Sequence, residues 1–92
     1  MINKMVKTPG ELGHIIAKRV RTLRKKRKIS LKRLSEMSGV SYGSLKRFEA
    51  SGEIALKSLI KIAIVLDCVD AFEELFAYQQ PRSIQEIMDG NL

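Results

Sequence analysis

The side chains with the clearest binding chemistry in this sequence are its lysines and arginines, and most of them lie in the first third of the chain. Through Arg33 there are 12 Lys and Arg residues and one acidic residue, Glu11, which gives a net charge of +11. From Leu34 onward there are 5 basic and 9 acidic residues, which gives −4. This asymmetry predicts one face suited to a polyanion, although a merely solvated lysine-rich helix face has the same composition.

Residues for catalysis or metal binding are scarce. The chain has one histidine, His14, and one cysteine, Cys68, which is too few for a four-ligand zinc site of the usual type. No nucleophile with a base, phosphate-binding loop or carboxylate pair occurs at a spacing typical of an active site. We therefore expect a protein that is not an enzyme and uses no metal or other cofactor.

The cysteine content and the short apolar segments indicate where such a chain works. A single cysteine excludes an internal disulfide, which suits a reducing compartment. No apolar run reaches the roughly 18 residues of a membrane span, and residues 1–7 lack the apolar stretch of a signal peptide. The sequence thus predicts a cytoplasmic protein with no membrane partner.

The elements that must position the basic side chains are predicted to be about five short helices in an all-α domain. A capping box at Thr8 and Glu11 starts the first helix, which is predicted over about Pro9–Lys26. Its buried face is predicted from apolar residues that recur at spacings of three and four. These are Leu12, Ile15, Ile16, Val20 and Leu23.

Serines and glycines mark the two helices that follow. Ser30 is predicted to cap the second helix, which ends near Gly39, and Ser41 is predicted to cap the third. Leu34, Val40, Leu45 and Phe48 can then meet beneath the turn. This is a helix-turn-helix centred on Leu31–Glu49, the unit whose second helix enters the major groove of DNA.

The remaining sequence predicts two more helices and a tail. A fourth helix is predicted over Leu56–Leu66, and Asp70 is predicted to cap a fifth that contains Phe72, Leu75 and Phe76. The predicted organisation is an N-terminal extension (1–8), a helix-turn-helix domain (9–77) and a C-terminal tail (78–92). The tail could form one or two amphipathic turns with Ile84, Ile87 and Met88.

The chain from about Leu12 to Phe76 resembles the Cro/CI-type (XRE, lambda-repressor-like) helix-turn-helix family. The resemblance depends on motifs in a specific order and spacing, each of them weak alone. These are Arg19–Arg24, Ile29-Ser30, Leu34, Gly39-Val40-Ser41, Leu45, Phe48-Glu49 and Leu59–Ala63. It implies a sequence-specific regulator, most simply a repressor, that binds double-stranded DNA as a homodimer.

The resemblance also implies roles for individual residues. Those expected to contact base edges are Ser41, Tyr42, Gly43, Lys46 and Arg47; those expected to contact the DNA backbone are Lys25, Arg27, Lys28, Ser30, Leu31, Lys32 and Ser44. Arg47 can take guanine O6 and N7 together or can bind a phosphate, and Tyr42 can contact a thymine methyl, a phosphate or only its neighbours. Arg24 and Glu49 match a family ion pair that links the first helix to the third.

Several positions depart from the family pattern. Leu31 replaces the glutamine common at the start of the first motif helix, so a side-chain phosphate contact is lost there. Ser35 replaces alanine against the turn and must find a partner for its hydroxyl. Gly43 removes one base-reading side chain, and Ala55 stands where a capping serine is common. These departures leave the operator sequence unpredicted.

The last two predicted helices are more apolar than a small core requires. The resemblance implies a dimer interface at this end of the domain, for which we expect Ile60, Ile64, Phe72, Leu75 and Phe76. The other interpretation is that these residues only close the core. A second function is also open: with its short tail the chain is similar to antitoxins of the HipB type, which bind a toxin partner and their own operator.

Overall fold

Most of the helices begin and end next to capping residues that can be recognised in the sequence. The computed structural model describes residues 7–77, and within this range the chain is all-helical with no strand. The helices are α1 (Pro9–Lys26), α2 (Leu31–Ser38), α3 (Tyr42–Ser51), α4 (Leu56–Val65) and α5 (Val69–Glu73). The predicted fold class is therefore confirmed. The proposed tail, with Ile84, Ile87 and Met88, lies outside the described residues.

The predicted caps of the first three helices form as hydrogen bonds. The Thr8 hydroxyl accepts from the Glu11 amide at 3.1 Å, and the Glu11 carboxylate accepts from the Thr8 amide at 2.8 Å. Ser30 accepts from the Arg33 amide at 3.0 Å. These contacts satisfy amides that a helix start leaves without an intrahelical partner. Each cap involves residues three apart, so the first turn is fixed by local sequence.

The core lies where α2, α3 and α4 meet beneath α1. Its largest fully buried side chains are Leu34, Leu45, Phe48, Ile62 and Leu66. Ala17 and Val40 complete this cluster. Because four of the five large side chains come from α2, α3 and α4 and the fifth caps the end of α4, this core fixes how the helix-turn-helix sits on the rest of the domain.

The buried face of α1 differs in part from the prediction, because Val20 and Leu23 pack against the core but Leu12 and Ile16 are exposed. Leu12 and Ile16 are 47% and 40% exposed, whereas Ala17 is 2% exposed and the charged Arg24 is 8% exposed. The reason is a close approach between α1 and the end of α3. A helix that comes so near needs small residues at the contact, and the neighbouring bulky ones are turned toward its flank.

Gly13 in α1 and Gly52 at the C-terminal cap of α3 make that close approach. A Cβ atom built on Gly13 would lie 2.7 Å from the Gly52 carbonyl oxygen. Gly52 itself has φ +82°, in the left-handed region, which glycine adopts without steric cost. Both positions therefore require glycine. Gly13 is required for space, and Gly52 is required both for space and for its left-handed backbone conformation.

The predicted bounds of the last two helices are wrong at the C-terminal end of the domain. α4 ends at Val65, with Leu66 as its cap residue, and α5 begins at Val69 rather than after Asp70. Leu75 and Phe76 lie beyond α5, and Phe76 has φ +66°. A five-residue helix without a side-chain cap is too short to continue on propensity alone. In the described range, no helix has the length and apolar character to span a membrane.

We predict that Gly13→Ala destabilises the domain by about 1–3 kcal/mol, the usual cost of forcing an extra methyl group into closely packed structure. Urea denaturation followed by circular dichroism measures this. Gly10→Ala in the same helix is the matched control, because its nearest atom would be the Thr8 hydroxyl oxygen at 4.0 Å. Equal stabilities for the two variants would show that α1 can move away from α3 at no cost.

Candidate nucleic-acid interface

The turn between α2 and α3 is held by hydrogen bonds on both of its sides. Gly39 has φ +80°, and its amide donates to the Ser35 carbonyl at 2.9 Å. The Ser35 hydroxyl donates to the Val40 carbonyl at 2.6 Å, and the Val40 amide donates to the Ser38 hydroxyl at 3.1 Å. Ser35, which departs from the family's alanine, thus satisfies its hydroxyl within the turn. The turn fixes the direction in which α3 leaves α2.

Arg24 and Glu49 form a part-buried ion pair between α1 and α3. Arg24 Nε donates to one Glu49 carboxylate oxygen at 2.9 Å, and Nη2 donates to the other at 3.1 Å. Arg24 Nη1 donates to the Ile29 carbonyl at 2.9 Å. The side chains are 9% and 11% exposed. A guanidinium with two bonds to one carboxylate is geometrically specific, so this contact orients the C-terminal end of α3.

The opposite face of α3 is open to solvent. Tyr42, Gly43, Lys46 and Arg47 are all exposed, and the Lys46 ammonium lies 5.9 Å from the centre of the Tyr42 ring. Nothing lies within 4 Å of a Cβ built on Gly43. The face therefore presents a phenol, an ammonium and a guanidinium around a position without a side chain. These groups can donate hydrogen bonds to base edges or phosphates.

The two serines at the start of α3 are already engaged with each other. Ser41 accepts from the Ser44 amide at 3.1 Å and donates its hydroxyl proton to the Ser44 hydroxyl oxygen at 2.9 Å. Both residues are exposed. In this arrangement Ser41 acts as the helix cap, and the Ser44 hydroxyl keeps its own proton to donate to another acceptor.

The residues expected to contact the DNA backbone fall into two groups. Lys25, Lys28 and Lys32 are exposed and, with Ser30 and the half-buried Leu31, lie at the α1–α2 junction and in the first turn of α2. Arg27 is different, because its guanidinium donates to the carbonyl of Leu66 at 2.5 Å. That bond joins the ends of α1 and α4, which gives Arg27 a structural contact that a spacing analysis does not reveal.

A cleft of about 360 Å³ between α3 and the start of α4 was missed by the sequence analysis. It is lined by Ser44, Arg47, Glu53, Ile54, Ala55 and Ser58. Ala55 gives α4 no side-chain cap, so the first amides of this helix stay available to an anion. Arg47 lies 3.8 Å from Glu53, and both side chains are 75% exposed. The sequence signal that could have indicated this cleft is Ala55, which stands where a capping serine is common.

The residues expected at a dimer interface are largely uncovered in the single chain. Ile64 is 60% exposed, Leu75 54% and Phe76 92%. Ile60 and Phe72 are half-buried. Ile60 and Ile64 stand one turn apart on the same side of α4, where the half-buried Ile60 and the exposed Ile64 form an apolar strip, the Ile60–Ile64 strip.

Comparison with known proteins adds one finding to this geometry. A family model described as Helix-turn-helix matches residues 20–73, which is more than half of the chain. The match begins within α1 and ends at Glu73, the last residue of α5. No curated protein and no solved structure matches the chain.

We predict that Glu49→Gln destabilises the domain by about 3 kcal/mol or more, because it leaves the Arg24 guanidinium buried without its counter-charge. Thermal and urea denaturation measure the loss. Glu36→Gln is the control: it removes the same charge from a pair with Arg33 that is 3.4 Å apart and more than half exposed, so a change within about 0.5 kcal/mol is expected. Similar losses in both variants would contradict a special role for the buried pair.

Proposed function

The chain belongs to the Cro/CI-type (XRE) helix-turn-helix family of DNA-binding proteins, and from that premise we propose that it is a transcriptional repressor. It reads the major groove of duplex DNA with α3 and binds its operator as a homodimer. The observation that carries the proposal is the division of α3 into two sides. One side is fixed by Leu45, Phe48 and the Arg24–Glu49 pair, and the other presents exposed polar groups.

The dimensions of α3 suit this role. Ten residues at 1.5 Å each give a helix about 15 Å long, and the major groove is about 12 Å wide and admits one helix. In this arrangement Arg47 binds guanine O6 and N7, and Tyr42 contacts a thymine methyl group. Gly43 allows the backbone of α3 to come close to the bases. Lys46 adds a donor beside them.

The lysines at the α1–α2 junction bind phosphates in this proposal. Lys25, Lys28 and Lys32 are exposed, and the segment through Arg33 contributes most of the positive charge. Phosphate contacts supply affinity and fix the register of the protein on DNA, whereas base contacts supply discrimination. The cleft beside Arg47 gives a further place for a phosphate, next to the uncapped start of α4.

A homodimer follows from how few bases one α3 helix reaches. A single domain of this type offers about four side chains to the groove, and a second copy doubles the sequence that is read. The Ile60–Ile64 strip on α4 supports the proposal, because an apolar strip on the outside of a small domain costs free energy until it is covered.

We predict that selection from a randomised duplex library at near-physiological salt enriches a palindrome with half-sites about 34–36 Å apart, one helical turn of DNA. The physical reason is the twofold symmetry of the dimer. Enrichment of a single half-site would contradict the dimer, and enrichment of no sequence would contradict sequence-specific regulation.

We predict that Arg47→Ala and Lys25→Ala weaken binding in different ways. Losing Arg47 should reduce the preference for operator over unrelated DNA by about 1–3 kcal/mol, the value of a bidentate base contact. Losing Lys25 should weaken all duplexes alike and reduce the salt dependence by about one phosphate contact. Fluorescence anisotropy titrations on both duplexes at several salt concentrations separate the two. If both variants lose the same affinity on every duplex, the assigned roles are wrong.

We predict that Ile64→Asp raises the dissociation constant of the dimer at least about tenfold, because the interface would have to bury a carboxylate without a partner. Sedimentation equilibrium measures the constant. Leu12→Asp is the matched control, since Leu12 is 47% exposed and lies on α1, outside the predicted interface. Unchanged association of Ile64→Asp, or equal weakening by both substitutions, would place the interface elsewhere.

A further inference from the structure

A second apolar surface lies between α1 and the α4–α5 end of the domain. This groove encloses about 430 Å³ and is lined by apolar side chains, among them Ile16, Val20, Leu59, Ala63, Phe72 and Leu75. Among the residues that the structure describes, Arg19 is the one charged residue along it. Ile16 is 40% exposed and Leu75 is 54% exposed, so the groove is open along its length rather than part of the closed core.

The groove is distinct from the surfaces used in the proposed function. It contains none of the exposed residues of α3, and it does not include Ile60 or Ile64. α4 therefore has two apolar sides, one toward the groove and one toward the outer strip. The groove shares Phe72 and Leu75 with the residues expected at the dimer interface, so its occupant decides what those two side chains contact.

We propose that residues 78–92 of the same chain pack into this groove as a short amphipathic helix. Leu75 is part of the groove wall, and the described chain continues only to Ala77, so the remaining 15 residues start beside the groove. Ile84, Ile87 and Met88 have the i, i+3, i+4 spacing of one apolar helix face. Pro81 separates that segment from the domain and suits the first turn of a new helix.

Length and charge both favour this occupant. The seven residues that follow Ala77, through Ile84, span up to about 23 Å when extended, which is sufficient to turn back along the groove. The segment contains two acidic residues, Glu86 and Asp89, and one basic residue, Arg82, so its net charge is negative. The α1 wall is basic, with Arg19 in the groove. A segment tethered beside its site has an effective concentration in the millimolar range, which a second copy at micromolar concentration does not match.

When residues 78–92 occupy the groove, Phe72 and Leu75 contact this segment of their own chain and not a second copy. The second copy then contacts the Ile60–Ile64 strip and Phe76. This inference does not depend on DNA binding, and it survives if the homodimer proposal fails. Ile64→Asp should leave the groove covered, and a change in the segment should leave the Ile60–Ile64 strip intact.

Cys68 gives a direct test, because it lines the groove, is half-buried and is the only cysteine of the chain. The rate at which an aromatic disulfide reagent modifies Cys68 reports how often the groove is uncovered. We expect Ile84→Asp/Ile87→Asp to raise this rate about tenfold over the full-length wild type, because the two carboxylates keep the segment out of the groove. Circular dichroism verifies that the domain stays folded.

The control variant Ser83→Asp/Gln85→Asp adds the same two charges on the flanks of the predicted segment helix, and its rate should match that of the wild type. Equal rates in all three proteins would overturn the proposal. A wild-type rate that rises on dilution, with no effect of the Ile84 and Ile87 substitutions, would also overturn it, because a second copy would then be the occupant. Acceleration by both double variants would show a charge effect and not docking.

Discussion

Arg24 is a buried charged residue of α1, and its three hydrogen-bonded nitrogens connect α1 to the loop that follows it and to α3. Two nitrogens bind Glu49 near the end of α3, and the third binds the Ile29 carbonyl in the loop between α1 and α2. Removing a guanidinium from water is costly unless its charge and its donors are all satisfied. The helices therefore have a strong preference for the one arrangement in which both partners reach Arg24.

α1 holds α3 at two points, and both lie toward the C-terminal end of α3. One is the ion pair at Glu49, and the other is the backbone contact of Gly13 with Gly52. The N-terminal end of α3 is held separately, by the hydrogen-bonded turn from α2. With both ends fixed, Tyr42, Lys46 and Arg47 project from a rigid helix, and less order has to be created when DNA binds.

The features that could be predicted from the sequence are those set by residues three or four apart. The bounds of α1, the Ser30 and Ser41 caps and the glycine turn at Gly39 all agree with the local pattern. The errors concern contacts between distant residues. The exposure of Leu12 accompanies the close approach of Gly13 to Gly52. The bond of Arg27 to Leu66 joins residues 39 positions apart. The candidate DNA contacts remain predictions, because exposure on α3 gives no information about which base each side chain meets.

The close approach of α1 to α3 also explains why so much apolar surface remains outside the core. Because small residues occupy the side of α1 that faces α3, Ile16 lies on the flank of the helix and is 40% exposed. Val20 and Leu23 pack against the core but are only half-buried, so each keeps part of its surface on the same flank. A domain of this size cannot enclose such a flank with five short helices, since surface area is large relative to volume in small proteins. The same constraint that orients α3 thus leaves a groove beside α1. In the proposed arrangement, the apolar side chains of residues 78–92 are buried by filling this groove.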